Sequence, residues 1–195
     1  MAFLRSSSGV DTEVEVRGQH VCLRYPTMGD YAAWAELRAV SRRHLTVWEP
    51  QWSRDELTRS AYRRRLRQYQ RELREDQGYA FFILRASDAA LVGGLSISNV
   101  RRGVAQAASI GYWIGAPHVA RGHMTDALRA VLPFTFGTLG LNRLEAACQP
   151  HNAPSRRVLE KVGFRREGIA RRYLKINGVW QDHDLFALLH DDAPA

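Results

Sequence analysis

The sequence predicts an α/β fold (α+β in some classifications), with one mixed sheet of about seven strands and helices on both faces. Three observations lead there. Strand-like and helical runs follow the order strand, two helices, three strands, helix, strand, helix, hairpin. Asn177-Gly178 stands between two strand-like runs, a strong short-range hairpin signal. The chain has 195 residues, 45% of them hydrophobic, which is enough for one domain with a sizeable core.

Each element has a local reason. Residues 1–15, centred on Ser6-Ser7-Ser8-Gly9, read as a flexible N-terminal arm, and residues 16–195 as a single domain. Val21, Leu23 and Tyr25 alternate with Cys22 and Arg24, the period of a strand. Asp30 is placed to cap a helix holding Tyr31, Trp34 and Leu37. Ser53 and Glu56 have the capping-box spacing, in which each side chain satisfies a free backbone N–H of the other. In the helix expected after them, Tyr62, Leu66, Tyr69 and Leu73 share one face, and Arg63, Arg64, Arg67, Arg71 and Arg74 occupy the other. Tyr79–Leu84, Leu91–Ile97 and Ala107–Ile114 are further strands, the last two joined through Arg101-Arg102-Gly103. The next helix runs from about Gly122 to Leu139, and Pro133 inside it removes one backbone hydrogen bond and bends it. Arg143–Cys148 alternates Leu144, Ala146 and Cys148 inward. Asn152 starts a helix that tolerates Pro154 in its first turn and ends at Gly163. Arg171–Ile176 and Val179–Leu189 form the hairpin arms.

Composition narrows the function classes. Lys and Arg number 28 against 20 Asp and Glu, a net charge of +8. Such a balance serves solubility, or it meets phosphates on a polyanionic cofactor, an RNA or a ribosome. No apolar run approaches the ~18 residues of a membrane span, and Ala130–Leu141 is interrupted by Pro133, Gly137 and Gly140. Met1–Ser8 lacks the apolar core of a signal peptide. Two cysteines, Cys22 and Cys148, are too few for a disulfide framework or a zinc cluster. The expectation is a cytoplasmic protein with free thiols, off the membrane, as a monomer or homodimer.

Two stretches carry the chemistry. In the first, a strand ends near Gly115 and the loop Ala116–Arg121 leads into a helix at Gly122. A helix N-terminus presents free N–H groups and a positive dipole end, so it binds phosphate well. Gly122 lets backbone approach a ligand, Arg121 adds charge and Thr125 adds a hydroxyl; the alternative role of Gly122 is a plain turn residue. In the second, Pro150–Phe164, Asn152 and Ser155 project from the start of a helix that follows a strand.

Together the two stretches resemble the GCN5-related N-acetyltransferase (GNAT) superfamily, marked by Asn-x-x-Ser…Gly-Phe and an upstream glycine loop. His44-Leu45, Trp48-Glu49-Pro50, Ser98-Asn99-Val100 with Arg102-Gly103, Gly111-Tyr112 with Ile114-Gly115, Pro150-His151-Asn152, and Asn177-Gly178 with Trp180, Asp182 and His183 resemble its RimJ branch. That branch acetylates the N-terminal alanine of a ribosomal protein, and the resemblance spans roughly residues 20–190. It implies acetyl-CoA as co-substrate and no metal. It implies a pyrophosphate loop of Val119, Ala120, Arg121, Gly122, His123 and Met124, followed by Thr125. Val119 departs from the usual Gln or Arg, and Met124 from the usual Gly or Ala. Trp113 and Ile114 match the strand that pairs with pantetheine, Asn152 the residue that fixes the pantetheine arm, and Ser155 a hydroxyl near the sulfur.

The expected reaction is direct attack of an amine on the thioester in a ternary complex, with no acyl-enzyme. A backbone N–H near Trp113 or Ile114 is the candidate oxyanion donor. Ser155 is the catalytic candidate at the leaving thiolate, with helix capping as its alternative role. An α-amine of pKa ~7.8 is already neutral about once in seven molecules at pH 7, against about once in 2,500 for a lysine amine of pKa ~10.4. An N-terminal acceptor therefore needs little base catalysis. Glu49 is a candidate to attract the ammonium or pass its proton, with a loop ion pair as the alternative. Trp48, Glu49, Asn99 and Tyr173 are the substrate-side candidates, and Trp52 could help wall the groove. Cys148 reads as a small buried apolar residue, and His123 with His151 does not make a metal site. The implied partner is a protein N-terminus, with docking on a ribosome through the basic surface. The alternatives are a small-molecule amine or polyamine acceptor and, from another class, a nucleic-acid-binding protein using helix 63–74, for which no binding motif is present.

Overall fold

The computed structural model describes residues 14–193. In chain order the strands are β1 (Glu15–Arg17), β2 (Val21–Arg24), β3 (Gly78–Arg85), β4 (Leu91–Arg101), β5 (Ala107–Ile114), β6 (Arg143–Cys148), β7 (Arg165–Ile176) and β8 (Val179–Leu189). The helices are α1 (Tyr31–Val40), α2 (Arg42–Leu45), α3 (Arg59–Arg74), α4 (His123–Pro133) and α5 (Ala153–Val162). The strands make one sheet ordered β1-β2-β3-β4-β5-β6-β8-β7. Every neighbouring pair is antiparallel except β5–β6, which is parallel and connected through α4.

Alternation along β3 sets the layers. Phe81 and Ile83 enter the larger core with Leu128 and Val131 of α4 and Leu159 of α5. Phe82 and Leu84 enter a second core with Trp34 and Leu37 of α1 and Tyr62 and Leu66 of α3. Tyr79–Leu84 is a continuous apolar run because helices cover both faces of the strand. Each such buried Leu or Phe side chain contributes ~1.5–3 kcal/mol.

Several elements differ from their expected form. The sheet has eight strands, and the additional one, β1, begins at Glu15 inside the expected arm. The rest of that arm lies outside the described residues apart from Val14, which packs against the larger core. Ser53 and Glu56 do not cap a helix: α3 starts later, and Thr58 Oγ1 accepts the Ala61 N–H at 3.2 Å. Glu56 is instead occupied by Arg65. Asp30 precedes α1, but its carboxylate is held by Arg24 at 2.6 and 2.9 Å and closes a capping box with Thr27 on the short 3-10 turn before it. Pro133 ends α4, and Phe134–Thr138 continue as a π-helical turn, the local response to the missing N–H. β7 reaches back to Arg165, and two register shifts, at Arg166/Gly168 and Ala170/Leu174, interrupt the alternation that would have marked it. Asn177 and Gly178 both take positive φ, 44° and 84°, as a two-residue hairpin turn requires. Among the described residues, no helix is long and apolar enough to cross a membrane.

The feature that positions the site is a split in the sheet. β5 and β6 pair only over Ala107–Ser109 and Arg143–Glu145. Beyond that, β5 continues to Ile114 and β6 to Cys148 without pairing to each other. The backbone edge of β5 from Ile110 onward therefore faces a wedge, open to an extended ligand.

Candidate active site

The wedge opens into a cavity of about 570 Å³. Tyr112, Trp113 and Ile114 of β5 line it, with His118 and the segment from Val119 to Thr125. On α5, Pro154, Arg157, Val158 and Lys161 contribute one face at i, i+3, i+4 and i+7 spacing, next to Asn152 and Ser155. Gly122 is the N-cap of α4 with φ 81°, and no side chain caps that end. A Cβ there would meet nothing within 4 Å, so the glycine serves conformation rather than clearance. Among the described residues the permanent charges of the lining are Arg121, Arg157 and Lys161 against Glu49, a cationic balance suited to a polyanion. Both ring nitrogens of His123 and Nδ1 of His118 are buried without a hydrogen-bond partner among the described residues. Burial, then the charges of Arg85 and Arg121, hold both imidazoles below the usual histidine range, so they are neutral near pH 7. Uncapped helix N–H groups, unpartnered imidazoles and an open strand edge fit a nucleotide diphosphate joined to an extended amide arm.

The start of α5 adds hydroxyl chemistry. Asn152 Oδ1 accepts the Ser155 N–H at 3.2 Å, so Asn152 caps the helix. The Ser155 hydroxyl lies 2.9 Å from the Tyr112 hydroxyl. Burial pushes the Tyr112 phenol well above its ordinary range, with Ser155 opposing the shift, so it stays protonated. Cys148 is buried; burial and then the charge of Asp184 push its thiol up, which disfavours the nucleophilic thiolate.

A second cavity of about 440 Å³ lies against α1 and α3 and shares Glu49, Tyr112 and Trp113 with the first. Glu49 is bound by Arg38 at 2.6 and 3.1 Å and by the Trp52 indole N–H at 2.7 Å. The backbone N–H of Asn177, at the hairpin tip, donates to the Glu49 carbonyl at 3.0 Å and fixes the loop. Trp113 can lie across β4 because Gly94 has no side chain: a Cβ there would fall 2.5 Å from Trp113 Nε1. Two cavities thus meet at one point of β5, where a donor and an acceptor can approach each other.

Residues 20–165 match the sequence family described as the Acetyltransferase (GNAT) domain. The chain belongs to the GNAT acetyltransferase family. Its relatives include a Bacillus subtilis protein named probable N-acetyltransferase YjcK, 46% identical over 71% of this chain and 76% of that one. The Escherichia coli [ribosomal protein uS5]-alanine N-acetyltransferase is 33% identical over 84% of this chain and 85% of its own. The solved structure of Mycobacterium smegmatis RimJ in complex with CoA-disulfide superposes with a TM-score of 0.86 at 35% identity, covering 93% of this chain and 88% of that one.

Within this GNAT chain the expected site residues divide. Trp113, Ile114, the segment from Val119 to Thr125, Asn152 and Ser155 all line the larger cavity, with Trp48 and Glu49. Trp48 packs on His151 at a ring distance of 5.2 Å. Asn99 and Tyr173 line neither cavity. Asn99 sits with φ 52° where the β4–β5 register shifts, away from the Gly94–Trp113 pair. Tyr173 is 48% exposed on β7, its ring edge against His183. Tyr112, His118, Arg157, Lys161 and Arg38 also line the cavities without being among the expected site residues, Tyr112 entering only through the Gly111-Tyr112 motif. The helical spacing from Pro154 to Lys161 was a usable signal for two of them. Arg38 also had one: with Trp34, Leu37 and Ser41 it completes an i, i+3, i+4, i+7 face that is buried throughout.

Proposed function

We propose that this acetyltransferase moves the acetyl group of acetyl-CoA to the N-terminal α-amine of a protein, with the N-terminal alanine of a ribosomal protein as its target in the cytoplasm, and that residues 16–195 act as one catalytic domain. The observation that carries this reading is the meeting of two cavities at Glu49, Tyr112 and Trp113. The relative at 33% identity, named for alanine acetylation of ribosomal protein uS5, supports the acceptor.

Bound acetyl-CoA would supply an activated thioester: the amine nitrogen bonds to the acetyl carbon, the C–S bond breaks, and sulfur leaves with the electron pair. Arg121, Arg157 and Lys161 hold the diphosphate with the N–H groups at the start of α4. The free edge of β5 orients the amide arm; the Gly115 N–H donates to Val92 of β4, so by strand alternation the Ile114 N–H points to the wedge and receives the charge that develops on the carbonyl oxygen. Ser155, backed by Tyr112, donates a hydrogen bond to the departing sulfur. Full proton transfer from Tyr112 would run uphill, since burial raises its affinity for the proton. Glu49 has its oxygens engaged by Arg38 and Trp52, so it holds its place as a paired charge rather than taking a proton. The proton lost by the amine goes to water, which suffices for an amine of pKa ~7.8.

A panel of peptides with acetyl-CoA, read by free thiol release and by mass-spectrometric location of the label, tests this. Label on the α-amine of Ala- or Ser-initiated peptides is expected; label mainly on lysine side chains overturns the acceptor.

A further inference from the structure

The charged groups that line the cavity against α1 and α3 cancel one another. Arg38 and Arg65 face Glu49 and Glu56, and among the described residues no other charged side chain lines it. Glu49 accepts both terminal nitrogens of Arg38, at 3.1 Å to Oε1 and 2.6 Å to Oε2, and the Trp52 indole N–H at 2.7 Å. Glu56 is paired with Arg65, and Arg38 stands 3.9 Å from it. Arg38 is only 5% exposed. Its guanidinium lies 4.4 Å from the Trp52 ring, 5.2 Å from Trp113 and 5.8 Å from Trp34. Aromatic faces and carboxylates hold this cation, in a place where a helix of this amphipathic pattern would otherwise carry an apolar side chain. It neutralises Glu49, which among the described residues is the carboxylate that both cavities share.

We propose that Arg38 is a specificity-determining residue of the acceptor site: by neutralising Glu49 where the cavities meet, it admits amines that arrive uncharged and excludes polycationic amines. This rests on transfer to an α-amine, as proposed above. At pH 7 about one α-amine in seven is neutral, against about one lysine-type amine in 2,500, so a cavity without net charge separates the two by about 350-fold on protonation alone. A carboxylate released from Arg38 reverses that preference. It stabilises the ammonium form and draws in exactly the acceptors, such as polyamines, that stay charged.

The experiment compares the wild type with Arg38→Gln, Arg38→Lys, Glu49→Gln and the double variant Arg38→Gln/Glu49→Gln. The acceptors are a lysine-free Ala-initiated peptide and spermidine. The readouts are kcat/KM for each, the spermidine Kd by calorimetry without cofactor, and Tm. In Arg38→Gln we expect peptide kcat/KM to fall at least tenfold and spermidine affinity to rise at least tenfold. Arg38→Lys keeps the wild-type preference, and the double variant loses the gained spermidine affinity because the charge balance returns. An equal loss on both acceptors with no gain in spermidine binding overturns the inference and leaves Arg38 a packing residue. Should Arg38→Gln not fold, Glu49→Gln decides: with Arg38 uncompensated it must lower spermidine transfer more than peptide transfer, and the reverse order refutes the idea. A wild type inactive on every α-amine peptide defeats the proposed function instead, and the spermidine affinities still judge Arg38.

Discussion

Tyr112→Phe and Ser155→Ala each remove one end of the 2.9 Å hydroxyl pair in the larger cavity. If the pair serves a sulfur that gains negative charge, the hydrogen bond involved is of the charge-assisted kind, ~1.5–3 kcal/mol. At 1.36 kcal/mol per decade that is a loss of roughly 12- to 160-fold in kcat. The effect on stability is smaller. Ser155 is half-buried beside a cavity, so one neutral hydrogen bond of ~0.5–1.5 kcal/mol is lost, or about 1–6 °C in Tm for a chain this long. The sharper forecast concerns the double variant. Two hydroxyls acting through one hydrogen bond are a unit, so the double variant should be no slower than the worse single one. Single-turnover thiol release gives the rates, and coenzyme A affinity by calorimetry shows that binding is intact. Losses that multiply, or a Tyr112→Phe enzyme at full kcat, would refute the joint action of the two hydroxyls.

Gly94→Ala places a Cβ 2.5 Å from Trp113 Nε1, so the indole must move; overpacking of ~1–3 kcal/mol and lower activity on every acceptor are expected, and unchanged Tm by calorimetry would deny the contact its importance. Thr58→Ala removes the side-chain cap of α3 and should lower stability by ~0.5–2 kcal/mol, measured by urea denaturation, whereas Ser53→Ala should leave it nearly unchanged. Folded-state His118 and His123 have lowered pKa values while the unfolded chain titrates near ~6.5. Their contribution to stability is therefore complete above that pH and is lost as pH falls toward the folded values, so Tm should drop between about pH 7.5 and pH 5.5. An anion in the cavity would raise both imidazoles, so coenzyme A binding near pH 6 should take up protons; a calorimetric enthalpy independent of buffer ionisation would count against it.

The layers were legible in the sequence because local signals and tertiary packing agree. The unbroken apolar run at Tyr79–Leu84 requires cover on two faces, and α1 with α3 and α4 with α5 supply it. Asn177-Gly178 marked the hairpin because only residues tolerant of positive φ fit its turn. Much of the larger cavity was legible because a large share of its lining comes from two contiguous stretches, at the starts of α4 and α5, with the end of β5 and the segment His44–Glu49 completing it. The cavity against α1 and α3 was not, because it draws Arg38, Glu49, Arg65, Ser96 and Trp113 from five separate segments. Ser53 and Glu56 misled for a related reason: long-range pairing with Arg65 claimed a side chain that local spacing assigned to a cap. Asn99 was singled out by a sequence pattern and Tyr173 by its aromatic character, and neither signal carries information about which residues line a cavity.

The charge excess of the chain does not describe the field inside it. Among the exposed residues of α3 are Arg63, Arg67, Arg71 and Arg74, while Arg65 of the same helix turns inward to Glu56. The larger cavity is cationic, and its neighbour across Trp113 is formally neutral. The two potentials are compatible only because Glu49, which both cavities share, is already paired with Arg38. Left unpaired, it would weaken the hold on a diphosphate from one side and bind ammonium from the other, slowing attack by keeping the nitrogen protonated. On the proposed reading, one buried guanidinium set among three indoles serves both ends of the reaction by balancing charge at their junction.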